Sequence, residues 1–465
     1  MELSNSTVMT SGERLATFSL ASLISLRMLG LFMIMPVFSL YGGELDGAGP
    51  ALIGLAIGIY GLTQAICQIP FGLLSDRIGR KPVIYGGLVL FAIGGVVAAQ
   101  AETIYGVILG RGIQGAGAIA SAIMALLGDV TREENRTKAM AIMGMSIGVS
   151  FSLALVLGPI ITSFVGLSGL FWITTAMALV GIGICYWVVP NPVTRIVHRD
   201  SKAEVSELKK VLRHRELLRL DIGIFLLHLV MTACFVVLPL VLVNQLHLDI
   251  QKHWLVYLPI LITSFVAMVP LMIFAERKKK IKEVLILAVF LLMLGLLGLF
   301  LLHDKLWTLC LALFVYFMAF NLLEAMLPSL VSKIAPAGSK GTCMGVYSSA
   351  QFFGAFAGGT MGGVVYGIWG AGMVFLFGAG LMIIWLFVAL SMEQPRFLQS
   401  YLLKLDSALH VNAEQLLHRL LAVVGVEEAV VITEENVAYL KVDKQSLDYS
   451  SLQKLATVNL APKLD

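Results

Sequence analysis

The chain has 465 residues, of which 58% are hydrophobic and only 13% are charged. Soluble domains carry about a quarter charged residues, so this composition excludes a wholly soluble protein and predicts a chain solvated largely by lipid. The net charge of +4 is small, and we expect no nucleic-acid partner.

Twelve apolar runs follow one another along the chain, and each is long enough for a membrane helix, which needs about 20 residues. Because backbone polar groups in lipid must be satisfied within the segment, and because the runs show no strand-like alternation, we predict helices. The first six spans lie near residues 17–40, 51–74, 83–100, 103–127, 137–165 and 169–190. The second six lie near residues 218–243, 253–275, 283–302, 306–332, 341–366 and 369–392.

Basic residues between the spans are concentrated after the even-numbered spans. The segment after span 8 reads "ERKKKIKE", whereas the loops after odd-numbered spans hold almost no Lys or Arg. Lysine and arginine are retained on the cytoplasmic side of a membrane. We therefore predict a multi-pass protein with its even-numbered loops and both termini in the cytoplasm.

The spans fall into two sets of six. We predict an N-terminal bundle over 1–190, a charged, amphipathic cytoplasmic linker over 191–217 and a C-terminal bundle over 218–393. A weak internal repeat supports this division, because "FGLLSDRIGRKP" after span 2 is echoed by "LMIFAERKKKIK" after span 8. Such repeats are typical of secondary transporters.

Beyond the last span, residues 400–458 have the composition of a soluble domain. Their pattern predicts the order β-α-β-β-α, which is typical of a small ferredoxin-like α+β domain. This segment contains no Cys, so we expect no thiolate metal site there. The predicted fold is an all-α membrane protein, with twelve transmembrane helices in two six-helix pseudo-repeats, followed by this cytoplasmic ferredoxin-like domain.

The charged stretch "GLLSDRIGRKP" runs from Gly72 to Pro82, between spans 2 and 3. It matches the pattern G-x-x-x-D-R-x-G-R-[KR], which marks this loop in the major facilitator superfamily. The matching residues are Gly72, Asp76, Arg77, Gly79, Arg80 and Lys81. The chain resembles this family, and the resemblance implies the family's fold of two six-helix halves.

Two further stretches resemble the drug/proton antiporters of the same family. "ILGRGIQGAGAIA" in span 4 contains Arg111 and is similar to the Arg-Gly motif of proton-coupled members. Gly158 and Pro159 in span 5 are similar to the centre of the antiporter motif G-x-x-x-G-P-x-x-G-G. Here Ala154 replaces the first Gly and Thr162-Ser163 replace the last pair, and all three are small enough for close helix packing.

The resemblance implies a proton-driven exporter in the cell inner membrane. We expect a monomer in the lipid bilayer that moves a small amphipathic substrate against protons by alternating access. The proton gradient is its energy source, and we expect no cofactor and no metal. Two alternatives stay open: a substrate/proton symporter, and a transporter-like sensor that signals through the C-terminal domain. An enzyme is not expected, because the sequence has no nucleophile triad, metal cluster or phosphate-binding loop.

Charged residues inside the spans are candidates for the transport site, since each costs about 2.5–3.5 kcal/mol on insertion scales. Arg27, Arg111, His228 and Glu324 lie in spans 1, 4, 7 and 10. In the family these spans line the central cavity, so the resemblance implies that all four face one chamber, with Asn321 nearby. Glu324 is the candidate proton site. The alternative is pairing between helices with no role in coupling.

The resemblance also implies a role for Asp76, because in the family this loop lies near the start of span 11. A helix N-terminus favours an anion, so we expect Asp76 to face the first amides of span 11, within Gly338–Gly345. We expect Arg80 to pair with Asp129 at the inner end of span 4. In this hypothesis both contacts form when the cytoplasmic side is shut and break when it opens.

Overall fold

The structure, a computed structural model, describes residues 9–190, 205–336, 339–394, 399–405, 413–432, 437–443 and 446–457. The first bundle is built from seven helices. They are α1 (Ser11–Phe32), α2 (Met35–Tyr41), α3 (Pro50–Ile78), α4 (Arg80–Ala99), α5 (Ile104–Ala116), α6 (Ala120–Val130) and α7 (Glu133–Trp187).

Four of the predicted spans in this bundle are modified by local sequence. Span 1 is divided into α1 and α2, with Pro36 in the first turn of α2. Span 4 is divided into α5 and α6 at Gly117. Spans 5 and 6 are joined directly within α7 by Gly166, whose φ of 68° and ψ of −176° suit glycine alone. The outer loop between these two spans is thereby reduced to a kink.

The second bundle follows the predicted linker. Residues 191–204 of this linker lie outside the described residues. Its helices are α8 (Val205–Val211), α9 (Arg215–Asn244), α10 (Trp254–Arg277), α11 (Ile281–Leu301), α12 (Leu306–Ile334), α13 (Lys340–Trp369) and α14 (Ala371–Leu390). The short α8 is the described part of the predicted linker, and α9 to α14 correspond to the second six predicted spans.

Ten helical segments in the described chain are long and apolar enough to cross a membrane. One of them, Lys138–Trp187, contains two passes on either side of Gly166. A further pass is α13, whose 30 residues reach about 45 Å but whose Gly, Ser and Thr content keeps its hydropathy low. The helical fold of two six-span bundles predicted from the sequence is confirmed.

The polar, small-residue composition of α13 follows from its position between α3 and α9. A Cβ on Gly54 of α3 would lie 2.2 Å from the carbonyl oxygen of Gly359 in α13. A Cβ on Gly358 would lie 2.1 Å from the carbonyl oxygen of Leu229 in α9. Backbones this close tolerate only glycine. The small residues of α13 therefore suit close packing against neighbouring helices rather than contact with lipid.

Two separate apolar clusters show how the bundles meet. One cluster unites the C-terminal bundle with outer-side residues of the N-terminal bundle, among them Met33, Val37, Phe38, Ile57, Phe151 and Leu155. The other contains cytoplasmic-side residues of the N-terminal bundle, among them Leu20, Ile24, Ile84, Ile123 and Met143, and Phe352 of α13 packs against it. The bundles therefore share one core on the outer side, whereas on the cytoplasmic side their apolar clusters are separate apart from the contact of Phe352. We call this arrangement inward-facing.

The C-terminal domain has three strands and two helices. They are β1 (Gln399–Lys404), α15 (Ala413–Leu421), β2 (Val426–Ile432), β3 (Val437–Val442) and α16 (Tyr449–Thr457). The antiparallel sheet has the order β1-β3-β2, and Leu416, Leu420, Leu440 and Leu452 share its core. The predicted β-α-β-β-α order is present.

Two polar contacts fix the ends of this domain. Asp448 precedes α16, and hydrogen bonds from Ser451 and Ser450 hold the pKa of Asp448 well below its usual range. On β3, the Lys441 ammonium donates to the carbonyl oxygens of Ser332 (3.2 Å) and Lys333 (3.0 Å). These carbonyls belong to the last turn of α12, so a cation of the small domain satisfies the negative end of a transmembrane helix.

Candidate functional site

A single glycine makes the turn between α3 and α4. Gly79 has φ 106° and ψ 156°, and it ends α3 and precedes α4. Asp76 and Arg77 therefore lie in the last turn of one helix, while Arg80 and Lys81 lie in the first turn of the next. The sequence suggested a longer charged turn, which is wrong in detail because the positive φ of Gly79 reverses the chain within one residue.

Arg80 is the centre of the polar contacts at this turn. Its Nη1 lies 2.5 Å from Oδ1 of Asp76 and donates to the hydroxyl of Ser75 at 2.7 Å. Its Nε donates to Oδ2 of Asp129 at 3.1 Å. The side chains of Arg80 and Asp129 are both only 8% exposed. Through these bonds the inner ends of α3, α4 and α6 are joined by one guanidinium group.

The remaining motif residues extend this junction. The Lys81 ammonium donates to the carbonyl oxygen of Val189 at 2.6 Å, which ties α4 to the chain just after α7. A Cβ on Gly72 would lie 3.3 Å from the Ser121 hydroxyl oxygen, so glycine permits the approach of α3 to α6. Arg77 is exposed. Arg77 is thus the motif cation that faces water, in keeping with an orientation signal.

One expected contact of this motif has a different partner in the structure. Asp76 is paired with Arg80, and among the described residues it is not bonded to the first amides of α13, which begins at Lys340. The expected Arg80–Asp129 pair is present. Both of its partners belong to the N-terminal bundle, and the expectation that the pair breaks on opening stays a prediction.

Two buried arginines of the N-terminal bundle share one aromatic ring. The guanidinium carbons of Arg27 and Arg111 lie 5.9 and 5.0 Å from the ring centroid of Tyr60. Arg27 is 3% exposed, Arg111 is fully buried and Tyr60 is 1% exposed. Cations over a desolvated ring are stabilised by about 2 kcal/mol or more, so Tyr60 holds both charges at membrane depth.

Polar groups complete the surroundings of each arginine. Arg27 donates from Nη2 to Gln64, whose own amide donates to Gln68 at 3.0 Å. Arg111 donates to the Gln114 side chain at 3.3 Å and, at 3.5 Å, to the backbone carbonyls of Ala56 and Ile57. Neither arginine pairs with a carboxylate among the described residues, so the interior of this bundle carries uncompensated positive charge.

The C-terminal bundle carries the acidic counterpart. Oε1 of Glu324 accepts a hydrogen bond from the Gln351 amide at 3.1 Å, and that amide nitrogen lies 2.9 Å from Nε2 of His228. Nε2 of His228 is 3.9 Å from Oε2 of Glu324. The side chain of Glu324 is 39% exposed, although its Oε2 atom is buried. Glu324, Gln351 and His228 form one polar cluster.

The predicted cavity residues thus form two groups rather than one. Arg27 and Arg111 belong to the N-terminal bundle, and His228 and Glu324 to the C-terminal bundle, with no bond between the groups among the described residues. Asn321 donates to the hydroxyl of Ser264 in α10 at 3.3 Å and not to the Glu324 cluster.

The antiporter-like pair in span 5 has a packing role. A Cβ on Gly158 would lie 2.5 Å from the carbonyl oxygen of Met33, where α1 gives way to α2. Thr162 donates to the carbonyl oxygen of Gly158 at 2.7 Å, and Pro159 lies within α7. The small residues let span 5 approach the broken part of span 1.

An aromatic contact across the bundles was missed by the sequence analysis. The Phe151 ring of α7 lies with its centroid 6.2 Å from Phe320 of α12 and 6.4 Å from Phe235 of α9. It also meets Phe32 of its own bundle at 5.0 Å. Phenylalanines are common in spans, so residue type gave no signal for this contact. The rings thereby join the two bundles through aromatic contacts.

The sequence analysis also passed over Asp221 and Tyr347. Asp221 lies in α9 and is 7% exposed, and Tyr347 lies in α13 and is 4% exposed. The rule that singled out Glu324, an ionisable residue within a span, applies equally to Asp221. Within the described part of the chain, no group of three or more His, Cys, Asp or Glu side chains is arranged to hold a metal ion.

A family model described as Major Facilitator Superfamily matches residues 20–359. This chain belongs to the major facilitator superfamily. A second family model, the YajR YAM domain, matches residues 407–448 within the small C-terminal domain. The resemblance inferred from the motifs is therefore confirmed.

Individual members of the superfamily agree with this assignment. The chain is 48% identical over 437 residues to the inner membrane transport protein YajR of Escherichia coli (strain K12), covering 94% of this chain and 96% of that protein. It is 25% identical over 360 residues to the multidrug resistance protein MdtH of Aeromonas hydrophila, covering 76% and 88%. The crystal structure of the nucleoside transporter NupG has a TM-score of 0.64 at 15% identity, covering 81% and 99%, and shows the same fold.

These relatives are named as membrane transporters and not as enzymes. The prediction of a transporter of this superfamily is confirmed, as is a multi-pass protein of the inner membrane.

Proposed function

We propose that this transporter exports a small amphipathic compound in exchange for protons. The observation that carries the proposal is the cluster of Glu324, Gln351 and His228, which places a carboxyl group at membrane depth on the C-terminal bundle. Such a carboxyl group, whose partners are an amide and an imidazole, can bind and release a proton as its access to water changes.

Alternating access is supported by the division of the apolar core. The bundles share a core on the outer side and not on the cytoplasmic side, so they are two bodies that can rock about the close contacts of α3, α9 and α13. Glycine-to-backbone contacts, unlike interlocked large side chains, let helices tilt with little repacking. Proton binding at Glu324 would bias one of the two states.

Export rather than uptake is supported by two likenesses. The Gly158-Pro159 pair resembles the span 5 motif of antiporters, and the relative MdtH is named as a multidrug resistance protein. The halves of the site also differ in charge, with arginines on one side and carboxyl groups on the other. An amphipathic compound with a polar or charged group finds partners of either sign there.

The test measures proton movement in proteoliposomes that contain the full chain and a pH-sensitive dye. A panel of amphipathic compounds is added under an imposed proton gradient, and compound-dependent proton flux is followed. We expect flux for the wild type and for Glu283→Gln, an exposed carboxyl at the start of α11, and no flux for folded Glu324→Gln. Full coupled flux in Glu324→Gln removes this residue from the proton pathway.

The same vesicles separate the alternatives. Antiport gives proton flux opposite to compound flux, whereas symport gives both in the same direction. A sensor gives neither, and the bond from Lys441 to the end of α12 is the observation that favours it. If no compound of the panel changes the proton flux, and the small domain responds to a compound, the result would support the sensor.

A further inference from the structure

The turn between α10 and α11 is strongly cationic. Residues 276–283 read "ERKKKIKE", with five cations and two carboxylates. One carboxylate, Glu276, lies 3.8 Å from the ammonium of Lys333 at the end of α12, and the other, Glu283, lies in the first turn of α11. Residues 277–280 all have exposed side chains. The turn therefore presents more positive charge to its surroundings than its own carboxylates can balance.

The internal repeat gives this turn a counterpart whose charges are used differently. Gly79 and Lys279 lie at matching positions and reverse the chain with positive φ angles of 106° and 54°. Arg80 follows Gly79, and its guanidinium is buried in the ion pair with Asp129. Lys280 follows Lys279 but is exposed, and within the described chain it is paired with no carboxylate. The α3–α4 turn thus holds its own bundle together, whereas the α10–α11 turn directs its cations outward.

Backbone and side-chain bonds hold the α10–α11 turn in a fixed shape. The Lys280 amide donates to the carbonyl oxygen of Ala275 at 2.9 Å. The Gln394 side chain, which follows α14, donates to the carbonyl oxygen of Lys279 at 3.3 Å. Little further ordering of the backbone is needed for this turn to bind a ligand, which lowers the entropic cost of binding.

An apolar stripe on α11 adjoins these cations. Leu287, Phe290 and Leu294 are exposed, and their spacing places them on one face of the helix. Because α11 packs against α10, α12 and α14 of its own bundle, its exposed face lies toward the lipid. Lys280 precedes Leu287 by seven residues, which is two turns and about 10 Å toward the cytoplasm on the same face. Cations at the membrane surface beside an apolar stripe match the two parts of a phospholipid.

We propose that the α10–α11 turn binds an anionic phospholipid of the cytoplasmic leaflet. Arg277, Lys278 and Lys280 hold its phosphate, since clusters of basic residues at the cytoplasmic end of a membrane helix attract anionic headgroups. One acyl chain lies along the stripe of α11. Inorganic phosphate has no part that matches this stripe, so the stripe favours a lipid over the free anion. The proposal is independent of proton coupling at Glu324.

The test compares the full chain in nanodiscs of phosphatidylglycerol, which is anionic, with the full chain in nanodiscs of phosphatidylcholine, which carries no net charge. Amide hydrogen exchange is followed by mass spectrometry. We expect the peptide over residues 274–284 to exchange about threefold more slowly in phosphatidylglycerol, because a bound lipid stabilises the turn. The peptide over residues 74–84, which holds the α3–α4 turn, is the internal control and should change less.

Matched variants identify the cations that act. Lys278→Gln with Lys280→Gln should exchange at the same rate in both lipids, while the three remaining cations of the turn keep the orientation signal. Lys278→Arg with Lys280→Arg keeps the charge and should keep the protection. Lys252→Gln with Lys305→Gln removes two exposed cations from the outer side and should leave the protection intact.

Free phosphate is the last arm of the test. Inorganic phosphate added to the phosphatidylcholine nanodiscs should leave the peptide over residues 274–284 unchanged, and protection there would show a site for the free anion instead of a lipid. Equal exchange of this peptide in the two lipids, equal protection of both turns, or loss of protection in the two-arginine variant overturns the proposal. None of these results depends on transport, so the proposed function is tested separately.

Discussion

Arg80 and Asp129 form a buried ion pair within the N-terminal bundle, with 3.1 Å between Nε and Oδ2, in the inward-facing arrangement. The pair joins the start of α4 to the end of α6 and needs nothing from the other bundle. It therefore fixes the shape of the α3–α4 turn in this state, and any contact of the turn with α13 depends on other atoms.

Loss of this pair should destabilise the N-terminal bundle. In Asp129→Asn the buried Arg80 guanidinium keeps its ion pair with Asp76 but loses its ion pair with Asp129. We therefore expect the free energy of unfolding to fall by about 1–3 kcal/mol. The measurement is thermal unfolding of the purified protein in detergent, followed by tryptophan fluorescence. The matched control is Arg77→Gln, which removes an exposed motif charge and should leave the midpoint unchanged. Equal midpoints for the two variants would contradict the prediction.

Asp76 remains our candidate for a latch that forms when the cytoplasmic side closes. Asp76→Asn should shift the protein further toward the inward-facing state, because the closed state loses the anion at the N-terminus of α13. Spin labels at Lys138→Cys and Arg277→Cys, with the five native cysteines replaced by Ser, report the width of the cytoplasmic gap. We expect a larger share of long distances. A distance distribution like that of the wild type would leave Asp76 as a partner of Arg80 and nothing more.

Tyr60 should be needed for its ring and not for its hydroxyl. Tyr60→Leu leaves two buried guanidinium groups without their shared ring, and we expect a loss of about 2–4 kcal/mol in unfolding free energy. Tyr60→Phe keeps the ring and removes a hydroxyl that has no partner among the described residues, so it should match the wild type. Unfolding midpoints in detergent distinguish the two variants. Equal losses in both would show that the hydroxyl carries the effect.

The close approach of α3 and α13 should control the outer side. A methyl group on Gly54 would collide with the Gly359 carbonyl, so Gly54→Ala should open the outer contact at a cost of about 1–3 kcal/mol to the inward-facing state. Spin labels at Glu44→Cys and Lys305→Cys should report longer distances. Gly144→Ala, where the added methyl group meets nothing within 4 Å, is the control. Unchanged outer distances in Gly54→Ala would show that the helices adjust without opening.

The bond between the small domain and α12 should protect the end of that helix. Lys441→Met keeps the length of the side chain but removes its donors, so the last turn of α12 should exchange its amide hydrogens faster. Hydrogen exchange followed by mass spectrometry of the peptide around Ser332 measures this. Arg419→Gln, an exposed change on α15, should have no effect there. Equal exchange in both variants would show that Lys441 does not hold the domain in place.

The sequence predicted what depends on composition and regular spacing. Spans follow from long apolar runs, and the Arg80–Asp129 pair follows from charges at the inner ends of neighbouring spans. The location of the α3–α4 turn at Gly79 was less predictable, because a charged stretch can be helix or loop and only the backbone conformation decides. The absence of a loop between spans 5 and 6 at Gly166 could not be predicted for the same reason.

What could not be predicted were relations between distant helices. The shared position of Arg27 and Arg111 on Tyr60 depends on how α1, α3 and α5 pack, and no local pattern encodes it. The inward-facing state depends on a small free-energy difference between two arrangements of the same bundles. A single sequence carries no direct sign of that difference, since the same glycines serve both arrangements.

The composition of α13 also has a consequence for how the protein is made. A helix whose faces are occupied by α3 and α9 is not apolar enough to partition into lipid by itself, and α13 emerges from the ribosome after both of them. We therefore expect its insertion to depend on assembly, with the pocket between α3 and α9 formed before α13 enters the bilayer. On this expectation, biogenesis of the C-terminal bundle is conditional on the N-terminal one, and the glycines of the interface act as determinants of insertion as well as of motion.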